Sequence, residues 1–426
     1  MLYIIYLVYF IGNSLYMSHN ISIKSIIAIL LGAFIECYDF LLYGNFSHIF
    51  SKIFFSHINE TLSLILSFII FAIAFFVRPF GSLLFGYIGD KYGRRVSLFM
   101  SVSLLMISMG GIAFLPLFDS IGILSPILLV LLRTLQGLSF GGEAGAIVLM
   151  AESVKEDQVM LISFAHFVIA ILGGAAGSFI FQLCYSFISE TEFYVWGWRV
   201  PFIIGLFMST LLPVLRNSIE ESYQYLRYKS HNKKISKVPI LDIILHHKKF
   251  CVIIFSVVGI SNMLFYMFFV FLNIQQQVNI TTYSFLILVM LISGFLSLFM
   301  YKRYRSEDVI IVFQVLFVFC ISCVVSFFGC YSLVTYFVLA IALGIYATPA
   351  LSMVILLFPV NIRQTGFSLC YSIAIAVFGG TTPAICLWLV KVTGVSISPI
   401  LYFDVCALLS LYGLFALKKY NMVGKV

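Results

Sequence analysis

Charged side chains are scarce in this chain. Asp, Glu, Lys and Arg make up 10% of its 426 residues, where soluble domains carry about 25%. Hydrophobic residues reach 62% and the mean hydropathy is +1.10. A water-soluble fold would face solvent with far too much apolar surface, so soluble classes are excluded. No GxxxxGK[ST] stretch occurs, which excludes ATP drive through a P-loop of the chain's own. Nor is there a filter-like repeat of the kind a channel needs. The nine cysteines lie scattered through apolar segments. Cys320 and Cys323 have CxxC spacing but no second pair and no histidine nearby. They read as small apolar helix residues, and no metal site is expected. The net charge of +8 offers no groove to nucleic acid, because the basic residues sit in short loops between apolar runs. That placement is a topology signal.

Apolar runs dominate what is present. A helix needs about 20 apolar residues to span the hydrocarbon core. Candidate spans lie near 22–45, 61–88, 96–116, 122–150, 159–186 and 198–216, then near 250–272, 282–301, 308–329, 332–357, 366–390 and 397–417. The expected fold class is an all-α integral membrane protein with twelve transmembrane helices in two six-helix bundles. The bundles are 22–216 and 250–417, joined by a polar linker at 217–249 and followed by a tail at 418–426. Residues 2–11 are apolar but too few to span, and no basic residue precedes them, so a signal peptide is not expected. Residues 1–21 read as an N-terminal extension, with Met17 a plausible start. Placing both ends inside puts twenty of the 25 basic residues in inner loops and tails, with Lys52, Arg199 and Lys391 outside and Arg78 and Arg133 within the membrane. The positive-inside rule therefore predicts cytoplasmic termini in an inner membrane.

The loop after the second span reads Gly86-Tyr-Ile-Gly-Asp90-Lys-Tyr-Gly93-Arg94-Arg95. Gly86 and Gly93 permit close backbone approach and a tight turn. Asp90 suits a helix N-terminus or an arginine. The stretch resembles the G-x-L-x-D-x-x-G-R-[RK] signature of the major facilitator superfamily, where this loop latches two halves of a transporter. Glu36-Cys-Tyr38-Asp39-Phe-Leu-Leu-Tyr43-Gly44, Arg78-Pro79-Phe80-Gly81 and Arg133-Thr-Leu-Gln136-Gly137 with Gly141-Gly142-Glu143 resemble one branch of it, the metabolite:H+ symporters. Trp196-Gly-Trp198-Arg199-Val-Pro201-Phe202, Phe358-Pro359-Val-Asn-Ile-Arg363-Gln-Thr365-Gly366 and Phe378-Gly379-Gly380 extend the likeness over nearly the whole chain. The resemblance implies secondary transport of proline, betaine or a small organic acid, driven by a proton gradient, with no enzyme activity and no cofactor. Two departures stand out. Tyr301-Lys302-Arg303-Tyr304-Arg305 has lost the Gly and Asp of a second-half loop copy, and Ala144 replaces a usual tyrosine.

Each charge at the bilayer centre costs about 2.5–3.5 kcal/mol. Glu36, Asp39, Arg133 and Glu143 would together cost roughly 10 kcal/mol in lipid, so they must face one another or a watered cavity. Glu36, Asp39 and Tyr43 fall at i, i+3 and i+7 on one face of the first helix. A carboxylate there can load a proton, and Arg133 can eject it or surrender to an anionic solute. Gln136 shares a side of the fourth helix with Glu143 and can orient a solute. The four-residue repeat Gly137, Gly141, Gly145 suggests close helix packing. His166, inside the fifth span, is either a proton relay or a satisfied interior histidine. The leading expectation is proton symport of a compatible solute such as proline or betaine. An organic-acid symporter and a solute sensor that does not transport are the alternatives.

Overall fold

The structure, a computed structural model, describes residues 22–217, 219–231, 239–271, 280–304, 307–328, 333–395 and 398–423. The expected extension at 1–21, the middle of the linker and the side chains of the basic loop 302–305 lie outside that description.

Every described element is helical. In hydrocarbon a chain must satisfy its backbone polar groups internally, and a helix does so within one segment. Numbering helices of eight residues or more, the first half holds α1 (Ile23–Phe54), α2 (Glu60–Tyr92), α3 (Arg94–Ala113), α4 (Leu124–Glu152), α5 (Val159–Phe187) and α6 (Arg199–Arg216). The linker carries α7 (Tyr223–Ser230) and α8 (Pro239–His246). The second half holds α9 (Lys248–Tyr266), α10 (Ile280–Tyr304), α11 (Glu307–Phe328), α12 (Leu333–Val354), α13 (Arg363–Ala374), α14 (Thr382–Thr393) and α15 (Pro399–Val423). Eleven helical runs among the described residues are long and apolar enough to cross a membrane. α11 stands where the ninth of twelve spans is expected.

The helices outrun the apolar windows. The apolar windows end near 45 and 88, yet α1 continues to Phe54 and α2 to Tyr92, because polar residues end an apolar window without ending backbone hydrogen bonding. Five-residue π-helical stretches lead into the sixth span at Phe193–Gly197, extend α9 at Met267–Phe271 and interrupt the eleventh span at Ile375–Gly379. Such wider turns re-aim the side chains that follow them.

The chain divides into two compact units. The first holds the described residues up to Lys155, then 168–239 and 360–372; the second holds 156–167, 240–359 and 373 onward. Compared with blocks 22–216 and 250–417, the units exchange two short segments. In the first unit α4 packs on α2 and α3, and α6 on α3 and α1. A Cβ at Gly137 would stand 2.6 Å from the Ala74 carbonyl oxygen, and one at Gly141 would run into that of Arg78. Gly137 and Gly141 thus let α4 lie against α2, while Gly145 faces the Gln364 side chain. In the second unit α10 packs on α12, and α9 on α15 and α12. Tyr346 donates to the Val257 carbonyl at 3.0 Å, and Gln314 joins Ser410 (3.3 Å) to the Ala407 carbonyl (3.0 Å).

Candidate functional site

The intramembrane charges of the first unit sort into three separate pairs. Asp39 on α1 faces Arg133 and Gln136 on α4, one helical turn apart. Gln136 donates to Asp39 Oδ1 at 2.9 Å, and Arg133 Nη1 donates to Gln136 Oε1 at 2.6 Å. Arg133 itself stays 3.8 Å from Asp39 Oδ2. Its guanidinium lies 3.9 Å from the centre of the Tyr43 ring, within cation–π range. All four residues are fully buried. Asp39 Oδ2, the Tyr43 hydroxyl and Arg133 Nε and Nη2 have no hydrogen-bond partner among the described residues. Buried polar groups are nearly always paired, and leaving one unmade costs about 1–3 kcal/mol, more when it is charged. The cluster therefore has spare capacity of both kinds. A guanidinium with open donors suits a carboxylate, and an open carboxylate oxygen suits a proton or a cationic group.

Glu36 and Glu143 do not join that cluster. Glu36 pairs with Arg78 of α2 at 2.7 Å, beside the rings of Phe140 and Tyr371. Glu143 is gripped by Arg216 at the end of α6, whose Nη2 lies 2.9 and 2.8 Å from the two carboxylate oxygens. Ser101 adds a bond at 3.2 Å, and Arg216 also donates to the Leu98 carbonyl. The single face expected for Glu36, Asp39 and Tyr43 is thus divided between two arginines. Glu143, on the side of Gln136 in a helical projection, turns to a different neighbour. By sequence Arg216 belongs with the basic inner loops, yet it is 1% exposed. His166 lies in the segment 156–167, which belongs to the second compact unit.

The loop signature builds a second polar centre. Gly93 has φ = +123°, a backbone that favours glycine, and lets α3 start at Arg94. A Cβ at Gly86 would stand 2.6 Å from the Cα of Thr365, so only glycine allows that approach of α13. Asp90 occupies the N-terminus of α13. Its Oδ1 accepts from the Gln364 N–H (3.1 Å), and its Oδ2 accepts from the Thr365 N–H (2.9 Å) and hydroxyl (2.6 Å). A carboxylate there complements the helix dipole and its orphan donors. Arg94 holds Asp90 at 2.7 Å and Glu152 at 3.1–3.2 Å, and donates to the Val360 carbonyl at 2.8 Å. Arg363 shares Glu152 at 3.0 Å, and Ser222 donates to it at 2.6 Å.

Glu221, between α6 and α7, accepts from the N–H groups of Arg94 (3.0 Å) and Arg95 (3.3 Å). It caps α3 in place of a side chain from Gly93. Burial pushes the Glu221 carboxyl above its ordinary value, against the pull of the Ser222 and Arg95 amides. The Arg95 side chain donates to the Asn217 carbonyl at 2.7 Å. Glu152 and Glu221 were missed in the sequence. Their only signal is an acidic residue at the end of a span.

Helices long and apolar enough to cross a membrane, with ion pairs buried among them, define a multi-pass membrane protein. Residues 24–239 match the sugar (and other) transporter family, and the chain belongs to that family. It is 32% identical over 396 residues to a Staphylococcus aureus (strain COL) protein that carries the provisional name proline/betaine transporter, covering 89% of this chain and 84% of that one. The Escherichia coli (strain K12) proline/betaine transporter is 27% identical over 91% of this chain and 82% of its own. The glycine betaine/proline/ectoine/pipecolic acid transporter OusA of Dickeya dadantii is 28% identical over 92% and 82%. In fold the chain is similar to the proton:xylose symporter XylE, a member of the major facilitator superfamily. The TM-score is 0.77 at 15% identity over 92% of this chain and 94% of that one. The twelve-helix major facilitator fold expected from the sequence is the fold of this transporter.

Proposed function

We propose that this transporter carries a small zwitterion of the proline or betaine kind together with a proton, across a bacterial inner membrane and with both termini in the cytoplasm. The observation that carries this reading is the buried Asp39–Gln136–Arg133–Tyr43 cluster, whose carboxylate and guanidinium both keep unpaired polar atoms. The solute carboxylate binds the open edge of Arg133, and its cationic end faces the Tyr43 ring and Asp39. A proton on Asp39 weakens its hold on Arg133 and so frees the guanidinium for the solute. When the proton leaves, Asp39 competes for Arg133 again. The names of the relatives support the substrate class. The Asp90 network acts as a latch that binds the α2–α3 loop to α13 in one conformation and releases it in another. Gly86, Gly93, Arg94 and Arg95 shape that latch.

The test is a panel of labelled solutes in proteoliposomes with an imposed pH gradient: proline, glycine betaine, α-ketoglutarate, citrate and shikimate. Proline or betaine should accumulate above equilibrium, and a protonophore should abolish the gain. Accumulation of the organic acids alone would overturn the substrate class. Binding without accumulation of any solute would make the protein a sensor.

A further inference from the structure

The linker ends in a helix whose outer side is uncovered among the described residues. α8 precedes the membrane-spanning α9 by a single residue, His247. Its inner side is anchored: Ile243 is 1% exposed, and His247 lies against the rings of Phe250 (5.4 Å) and Phe358 (6.0 Å). On its outer side Leu241, Ile244 and Leu245 are 54%, 57% and 67% exposed. They follow i, i+3, i+4 and so share one face. Asp242 and His246 pair with each other at 3.1 Å beside that face. Lys248 and Lys249, both exposed, follow at once.

Three large aliphatic side chains in a row would be a poor surface for water. Two features say what covers them. One is continuity: α9 enters the membrane directly after His247, so an eight-residue helix about 12 Å long cannot stray far from the bilayer surface. The other is charge: adjacent lysines at the boundary complement anionic headgroups, and an apolar face beside basic residues is the make-up of helices that lie in the interface. We propose that α8 lies in the plane of the bilayer, with Leu241, Ile244 and Leu245 among the acyl chains and Lys248 and Lys249 on anionic headgroups. The linker is thereby tied to the lipid surface where the second half begins, and anionic lipid strengthens the tie.

The experiment uses the full chain in lipid nanodiscs of phosphatidylcholine with or without phosphatidylglycerol. Leu245→Trp adds one fluorophore to the three native tryptophans, and the signal is the difference from the parent protein. Brominated acyl chains should quench the added emission, and aqueous iodide should not. Ile244→Trp reads the same face if Leu245→Trp fails to fold. Exchanging Lys248 and Lys249 for Gln should lower quenching by brominated lipid in the anionic discs, by up to about fivefold per lysine, and leave the neutral discs unchanged. Free quenching by iodide with none by brominated lipid, in both tryptophan variants, would overturn the membrane-surface placement. Equal quenching by brominated lipid with and without the lysines in anionic discs would overturn the role of the headgroups.

Discussion

Asp90 and Thr365, 275 residues apart in the chain, are bonded twice: one carboxylate oxygen takes both the backbone N–H and the hydroxyl of Thr365, at 2.9 and 2.6 Å. The contact makes a loop residue at the end of α2 the N-terminal cap of α13. Since Arg94 binds the other oxygen at 2.7 Å, the cap is also tied to Glu152, Arg363 and, through the backbone, Glu221.

Asp90→Asn should therefore impair cycling rather than folding. The side chain keeps its size but loses charge-assisted bonds, each worth about 1.5–3 kcal/mol. Initial uptake should fall by tenfold or more, while the amount of protein extracted from the membrane stays near that of the parent. Unchanged uptake from this variant would leave the Asp90 cap without a part in transport.

Glu143 and Arg216 should behave as a structural unit. Removing one member of a buried ion pair strands the other, at a cost of about 3–5 kcal/mol. Glu143→Ala and Arg216→Ala should each lower the monodisperse fraction recovered in detergent after mild heating. The double exchange Glu143→Leu with Arg216→Met removes both charges, fills the space and should recover most of that fraction. It should also retain pH-driven accumulation. Loss of accumulation in a well-folded double variant would return Glu143 to the proton pathway.

Coupling itself is expected at Asp39. Asp39→Asn should abolish accumulation driven by a pH gradient yet leave solute counterflow measurable, because the neutral amide mimics the protonated carboxyl. Arg133→Lys should weaken counterflow as well, since an ammonium cannot offer the planar, two-pronged donor set of a guanidinium. If Asp39→Asn and Glu36→Gln both keep full accumulation, both α1 carboxylates are structural, and the proton must move through Glu143 or His166.

Topology is open to a direct check. A reporter active only in the cytoplasm should work when fused after Lys237, Arg305 or Lys419 and stay silent near Asn59, Glu190 or Asn279. The reverse pattern at any of these points would break the arrangement with both ends inside.

Hydropathy is a local property, and what depends on it could be read directly from the chain. Runs of about 20 apolar residues marked the spans, and the charges inside them marked residues that must be paired. Gly86, Asp90 and Gly93 matched a loop signature whose glycines permit close approach and a tight turn and whose carboxylate suits a helix N-terminus or an arginine. Partner choice is not local. Whether Asp39 or Glu143 meets Arg133 depends on which sides of α1, α4 and α6 come together, and that is set by side-chain packing along whole helices. Arg216 illustrates the point: in sequence it is one more basic residue at the inner end of a span, and in the fold it is buried against Glu143. Glu152 and Glu221 were likewise silent in sequence, because a carboxylate at a span boundary is equally well satisfied by water. The approach of α13, made possible where Gly86 has no side chain to block Thr365, adds Arg363 to Arg94 and Ser222 around Glu152, while Glu221 meets the Arg94 and Arg95 amides at the start of α3.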